Sequence, residues 1–234
     1  MKSLSLLLAG LLTALASLPA SAADERKPEA EMGRMQLILL SRATGAKPAA
    51  PDAATLAAQR KATDALLQSG ALAFVGDTTG DTALREVLIL RSAETNAARE
   101  LAASLPAVKS GAWTAEPLTW FTATNYFKPA AAGAPRTPYV FGLLLSGTNA
   151  AKLPPEEVSK IQEGHMANIR RLAEAGKLAI AGPFAGGGNR RGVFIFNLDS
   201  TAEAQKLADT DPAVIAGRLR IELWPIEAPA GILR

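Results

Sequence analysis

Apolar runs of strand length alternate with stretches of helical periodicity along this chain, and the whole series occurs twice. Met35 to Ser41 is an apolar run of strand length, followed by an Ala/Pro/Gly-rich connection. From Asp52 to Ser69 the composition turns helical, with Leu56, Gln59, Thr63, Leu66 and Leu67 sharing one side. Gly70 suits a helix C-cap, Leu72 to Val75 a second strand, and the segment from Gly76 to Asp81 a turn. A third strand (Leu84 to Leu90), a short helix (Glu94 to Ser104), a brief turn at Pro106 and a fourth strand (Ala112 to Thr122) complete the order βαββαβ.

The second half repeats it. Tyr139 to Leu145, a helix from Pro155 to about Ala175, Leu178 to Phe184, Gly192 to Leu198, a short helix from Thr201 to Ala208, and Arg220 to Ile226 follow in the same order. Pro155 suits the first turn of its helix, and Glu156 and Glu157 complement the positive end. An offset of 106 residues carries Gly70, Gly76, Pro106 and Gly111 onto Gly176, Gly182, Pro212 and Gly217. Under this offset the single histidine, His165, falls opposite Gln59. The repeat means two copies of one module, of which only the second keeps a group that titrates near neutral pH.

These lengths predict an α+β fold: two tandem ferredoxin-like modules, each an antiparallel sheet with its helices on one face. The other sheet face of each needs cover, which the two copies can supply by packing through their sheets. Strand four of each copy is the expected place for edge pairing between halves. The expected divisions are a signal peptide (1–22), a disordered leader (23–33), a first module (34–122), a linker (123–137), a second module (138–227) and a C-terminal tail (228–234).

Lys2, the apolar stretch Leu4 to Leu18 and Ala20-Ser21-Ala22 have the form of a secretory signal, which places the mature chain in the periplasm or outside the cell with no transmembrane segment. Loss of Lys2 takes the formal charge from +3 to +2, with the basic residues scattered, which is no nucleic-acid footprint. Absence of cysteine excludes disulfides and a thiolate nucleophile. With one histidine and no His-Glu-x-x-His or calcium-loop pattern, neither a metal nor any cofactor is expected.

Val158, Ile161, Ile169 and Leu172 form the apolar stripe of the long second-half helix, and His165 fills its gap. An inward histidine needs partners for its ring nitrogens. Asp211, before Pro212, is placed to cap a short turn through Ala216. If it also reaches His165, the two make a general acid/base dyad rather than a nucleophilic triad. Their counterparts, Gln59 and Leu105, cannot do this. Gly186 to Gly188 read as a hairpin rather than a phosphate loop, and Arg190 or Arg191 beside it could pair with a substrate carboxylate. Trp113, Trp120, Trp224 and Phe194 are expected between the sheets.

Three segments carry a family resemblance: Glu163-Gly164-His165-Met166-Ala167-Asn168-Ile169, Leu172 through Pro183, and Asp211-Pro212-Ala213-Val214-Ile215-Ala216-Gly217. Through them the second copy, from Tyr139 to Pro225, resembles the YCII-related, or YciI-like, proteins of the dimeric α/β-barrel superfamily. The first copy resembles a diverged relative. The resemblance implies a sheet-paired ferredoxin-like module, usually dimeric, with a pocket between helix and sheet and a histidine–aspartate active-site dyad that maps onto His165 and Asp211. Relatives in the wider superfamily bind haem, but a histidine under a tight helix leaves little room for a macrocycle.

The leading expectation is a small-molecule lyase, isomerase or hydrolase using His165 and Asp211, as a monomer (an internal pseudo-dimer) or a homodimer. A non-catalytic ligand-binding protein and a structural module with no site are the alternatives. The pocket discriminates them: an open cavity with both residues favours catalysis, an open cavity with the two apart favours binding, and a filled core favours structure.

Overall fold

The computed structural model describes residues 29–44, 50–150, 152–186 and 188–234, so the signal segment 1–22 and the start of the leader lie outside the described residues. The first module comprises β1 (Met32–Arg42), α1 (Ala53–Gln68), β2 (Leu72–Thr78), β3 (Leu84–Leu90), α2 (Thr95–Ser104), α3 (Pro106–Lys109) and β4 (Trp113–Ala123). The second repeats it with β5 (Arg136–Ser146), α4 (Pro155–Glu174), β6 (Leu178–Pro183), β7 (Arg190–Phe196), α5 (Thr201–Ala208), α6 (Pro212–Ile215) and β8 (Leu219–Pro229). Local chemistry sets these limits. Asp52 caps α1 by accepting from the Thr55 N–H at 2.7 Å, and Ser200 caps α5 by accepting from Glu203 at 3.3 Å. Gly70 and Gly176, both at positive φ, turn the chain out of α1 and α4.

The eight strands lie in the order β4-β1-β3-β2-β8-β5-β7-β6, all neighbours antiparallel. Each half is thus a ferredoxin-like sheet. The halves join along two equivalent seams. At one, β2 pairs with β8 (Asp77 with Glu227, Thr78 with Ile226), and the Thr79 N–H donates to Pro225 at 3.0 Å. At the other, β4 meets β6: Trp120 bridges Phe184, the Ala185 N–H donates to Thr119 at 2.8 Å, and the Trp120 indole donates to the Gly182 carbonyl at 2.9 Å. The fourth strand of each module therefore lies beside the second strand of the other. The result is a nearly closed antiparallel barrel with edges protected on both sides.

Alternation along the strands divides the interior. On β5, Phe141, Leu143 and Leu145 join the large core that also holds Leu37, Phe74, Trp120 and Ile226, while Val140 and Leu144 join a second cluster with Leu172, Phe194 and Phe196 under the second-module helices. The expected leader ends too late: Met32 and Gly33 already pair with Ala123 and Thr122 in β1. Leu56, expected on the inner side of α1, is exposed. The linker and tail pack against each other. Phe127 is buried against Trp120 and bridges Leu233, and the Lys128 N–H donates to Ile232 at 2.8 Å. Burying Ile232, Leu233 and Phe127 together ties the crossover between modules to the chain end.

Candidate active site

The second half builds its site between α4 and the sheet. Ile161, His165, Asn168 and Leu172 form the buried stripe of α4, with spacings of four, three and four that keep one face inward. Gly164 lets this helix approach α6 closely: a Cβ there would stand 2.9 Å from Cγ of Pro212. Pro212 opens α6, and Asp211 caps it by accepting from the Ala213 N–H at 2.8 Å. The same carboxylate faces α4.

Nδ1 of His165 lies 2.8 Å from Oδ2 and 2.9 Å from Oδ1 of Asp211, and Asn168 donates to Oδ2 at 3.2 Å. Asn168 is held in turn by Arg171, whose guanidinium donates to its carbonyl at 2.7 Å and to the Thr210 hydroxyl at 3.0 Å. Asp211 is 1% exposed, so its charge depends on these partners. Burial pushes its carboxyl up. The hydrogen bond and charge of His165, with the Ala213 N–H and Asn168, outweigh burial and hold Asp211 below the ordinary carboxylate range. An ionised carboxylate only accepts, so Nδ1 of His165 donates to it and Nε2 is the ring nitrogen not engaged by Asp211.

A cavity of about 430 Å³ opens beside this ring. His165 forms part of its wall, with Phe194 in a parallel arrangement at 6.0 Å between centroids. Met32, Met166 and Ile169 supply apolar wall, and Gly192 leaves β7 bare beneath. Phe194 thus stands on the helix side of the sheet rather than between the sheets. A bulge that leaves Arg191 without a partner on β5 also separates the two arginines. Arg191 lines the cavity, whereas Arg190 is ion-paired with Glu116 of β4 across the module seam. Arg218 lines it too, donating to Gln162 at 3.1 Å.

In the first module the Gln59 end of the corresponding place is filled by its own side chains, and a cavity of about 370 Å³ lined by Arg60, Asp77 and Arg136 lies beside it. Gln59 stands where His165 does, accepts from the Ala107 N–H at 3.2 Å and donates to Glu86 at 2.9 Å. One amide therefore caps α3 in place of the missing aspartate, since Leu105 cannot. Glu86 is 6% exposed, and desolvation pushes its carboxyl up to about 7. It occupies the register position of Gly192: Glu86 pairs with Leu40 and Asp77, Gly192 with Leu144 and Pro183.

Comparison with protein-family models finds one match in the second half, over residues 140–226. This segment is a YCII-related domain. The match covers the strands, helices and Asp-Pro turn that assemble the site, and the first module completes the barrel. Among solved structures, a novel heme-binding protein from Thermus thermophilus is similar at a TM-score of 0.52 and 12% identity, covering 85% of this chain and 93% of that one. A mutant chlorite dismutase from Candidatus Nitrospira defluvii, in complex with cyanide, is similar at 0.53 and 9%, covering 85% and 91%. These likenesses show that the YCII-related domain and its partner module share the dimeric α/β-barrel fold. No curated protein matches the chain.

Asn168, Met32, Gln162, Arg218 and Gly192 escaped the sequence reading. Asn168 alone had a local signal, being three residues past His165 on the same buried stripe. No helix among the described residues is long and apolar enough to cross a membrane.

Proposed function

We propose that the protein is a small-molecule enzyme of the periplasm or cell exterior, in which His165 moves a proton and Asp211 orients and charges it. The observation that carries this reading is the His165–Asp211 hydrogen bond at the wall of an open cavity, with Nε2 as the ring nitrogen left to serve a ligand. In the resting state Nδ1–H points at the carboxylate and Nε2 accepts a proton from the substrate. The imidazolium formed is stabilised by Asp211, and the proton returns from Nε2 to a leaving group or a neighbouring carbon. Ser146 also borders the cavity, but its hydroxyl is directed at the Gly188 carbonyl at 3.4 Å and makes no pair with His165. Lyase, isomerase and water-dependent hydrolase chemistry all fit such a base without a protein nucleophile.

The cavity volume speaks to the size of the ligand. About 430 Å³ lies in the lower part of the range for drug-sized ligands, roughly 300–1,000 Å³. It suits a small molecule and does not enclose a porphyrin with its propionates. A panel of small lyase, isomerase and esterase substrates, assayed with wild type, His165→Ala and Asp211→Asn, tests the proposal. Activity of the wild type should fall by about 10²–10⁴ in His165→Ala with an unchanged circular dichroism spectrum. Turnover retained in that variant would refute the role of His165, and binding without turnover would favour a ligand-binding protein instead.

A further inference from the structure

We propose that the cavity beside His165 takes a small monocarboxylate with an apolar body, its carboxylate meeting Nε2 of His165 above Gly192. This rests on the reading of the site as a small-molecule pocket, and two independent observations carry it. The first is the charge of the wall. Among the described residues the cavity is lined by the basic side chains His165, Arg191 and Arg218, and by no Asp or Glu. Asp211, the one carboxylate in contact with the imidazole, lies behind the ring and is consumed by Nδ1, Asn168 and the Ala213 N–H. Arg191 and Arg218 therefore meet no counter-charge in the cavity wall among the described residues.

The second is supplied by the chain's own first half, which places a carboxylate at the same point. Gln59 holds the position of His165 and donates from Nε2 to Glu86 at 2.9 Å, and Glu86 holds the position of Gly192. In the second module the strand carries no side chain at that point, since a Cβ on Gly192 would stand 2.6 Å from the Gly182 carbonyl oxygen, and the bare backbone lines the cavity. At this end the first module is thus a covalently filled version of the second site, with a donor on the first helix meeting a carboxylate that rises from the third strand, while the rest of its cavity stays open.

The rest of the two walls fixes the ligand's body. The first module surrounds its carboxylate with Arg60, Asp77 and Arg136, the last two ion-paired. The register-equivalent positions of the second are Met166, Pro183 and Met32. A ligand that replaces Glu86 in such surroundings carries one anionic group and otherwise apolar surface. Its carboxylate gains a charge-assisted hydrogen bond from the imidazolium formed when Nε2 takes up a proton as the ligand binds, and its body gains contact with the two methionines.

The test uses the full chain, in which His165 gives the only imidazole signals. Benzoate and benzamide, which share a ring and differ in charge, are titrated while the His165 resonances are followed by NMR. Benzoate should shift them saturably and bind about tenfold or more tighter than benzamide, the ratio of a charge-assisted to a neutral hydrogen bond. Replacement of the exposed Arg191 by alanine should weaken benzoate severalfold and leave benzamide unchanged. Equal binding of the two probes would overturn the carboxylate assignment while leaving the small-molecule pocket standing. No shift with either benzoate or cyclohexanecarboxylate, nor with benzamide, would overturn both.

Discussion

Replacing Glu86 by glutamine keeps the hydrogen bond to Gln59, because the new carbonyl accepts where Oε2 did, but removes the ionisable group. Desolvation, the largest cause, together with the nearby Asp77 charge, raises the Glu86 carboxyl from its ordinary 4.5 to about 7 despite the hydrogen bond from Gln59. Ionising it in the folded chain is therefore less favourable than in the unfolded chain by about 3 kcal/mol. The sign follows from proton uptake. Between pH 4.5 and about 7 the folded state keeps a proton that the unfolded state has released, so stability falls as pH rises through this window. Below it the group contributes no penalty, and above it the whole penalty is present. Urea unfolding of wild type and Glu86→Gln across the window measures the difference. The variant should match the wild type near pH 4.5 and exceed it above pH 7 by up to about 3 kcal/mol, a midpoint increase of about 1 M. Parallel stability curves for the two proteins would refute the reasoning, since they would mean that Glu86 ionises freely.

Asp211 behaves in the opposite sense. Its carboxyl is held below the ordinary value, so the stability it contributes is present above pH 3.8 and is lost as pH falls through its folded value; Asp211→Asn should show a smaller loss in acid unfolding. Asp211→Ala removes the α6 cap and leaves the Ala213 and Asn168 donors buried without their acceptor, at a cost of about 1–3 kcal/mol in thermal or urea unfolding, whereas Asp211→Asn should cost less. At the β4–β6 seam, a Cβ on Gly182 would lie 2.1 Å from the Phe121 carbonyl oxygen and 2.9 Å from the Trp120 indole nitrogen. Gly182→Ala should therefore destabilise by about 1–3 kcal/mol or more and shift tryptophan emission to the red as Trp120 loses its buried acceptor, which fluorescence during unfolding will read.

Local signals made much of this molecule legible. The stripe of α4 predicted an inward His165, and the Asp-Pro pair predicted a cap at Asp211, because both depend on neighbours within one or two turns of helix. The two modules and their edge pairing followed from the repeat. Features set by register across strands were beyond such reasoning. Glu86, a charge within an apolar strand, offers no sign that Gln59 receives it 27 residues away. Met32 reaches the second cavity only because β4 and β6 meet, and the linker and tail became ordered through Phe127 and Leu233, which no local pattern joins. Arg190 and Arg191 looked equivalent until the bulge at Arg191 gave them different neighbours.

Each cavity takes part of its wall from the other module: Met32 of β1 borders the second cavity, and Arg136 of β5 borders the first. In a symmetric homodimer any change at this position would enter both cavities together. Joining the copies in one polypeptide dissolves that constraint, so methionine can serve one pocket while arginine serves the other. A second module released from its partner and paired with another copy of itself would present arginine where methionine now stands. The inactive-looking half is thereby bound to inheritance with the other: it can lose its own site, but it cannot be lost.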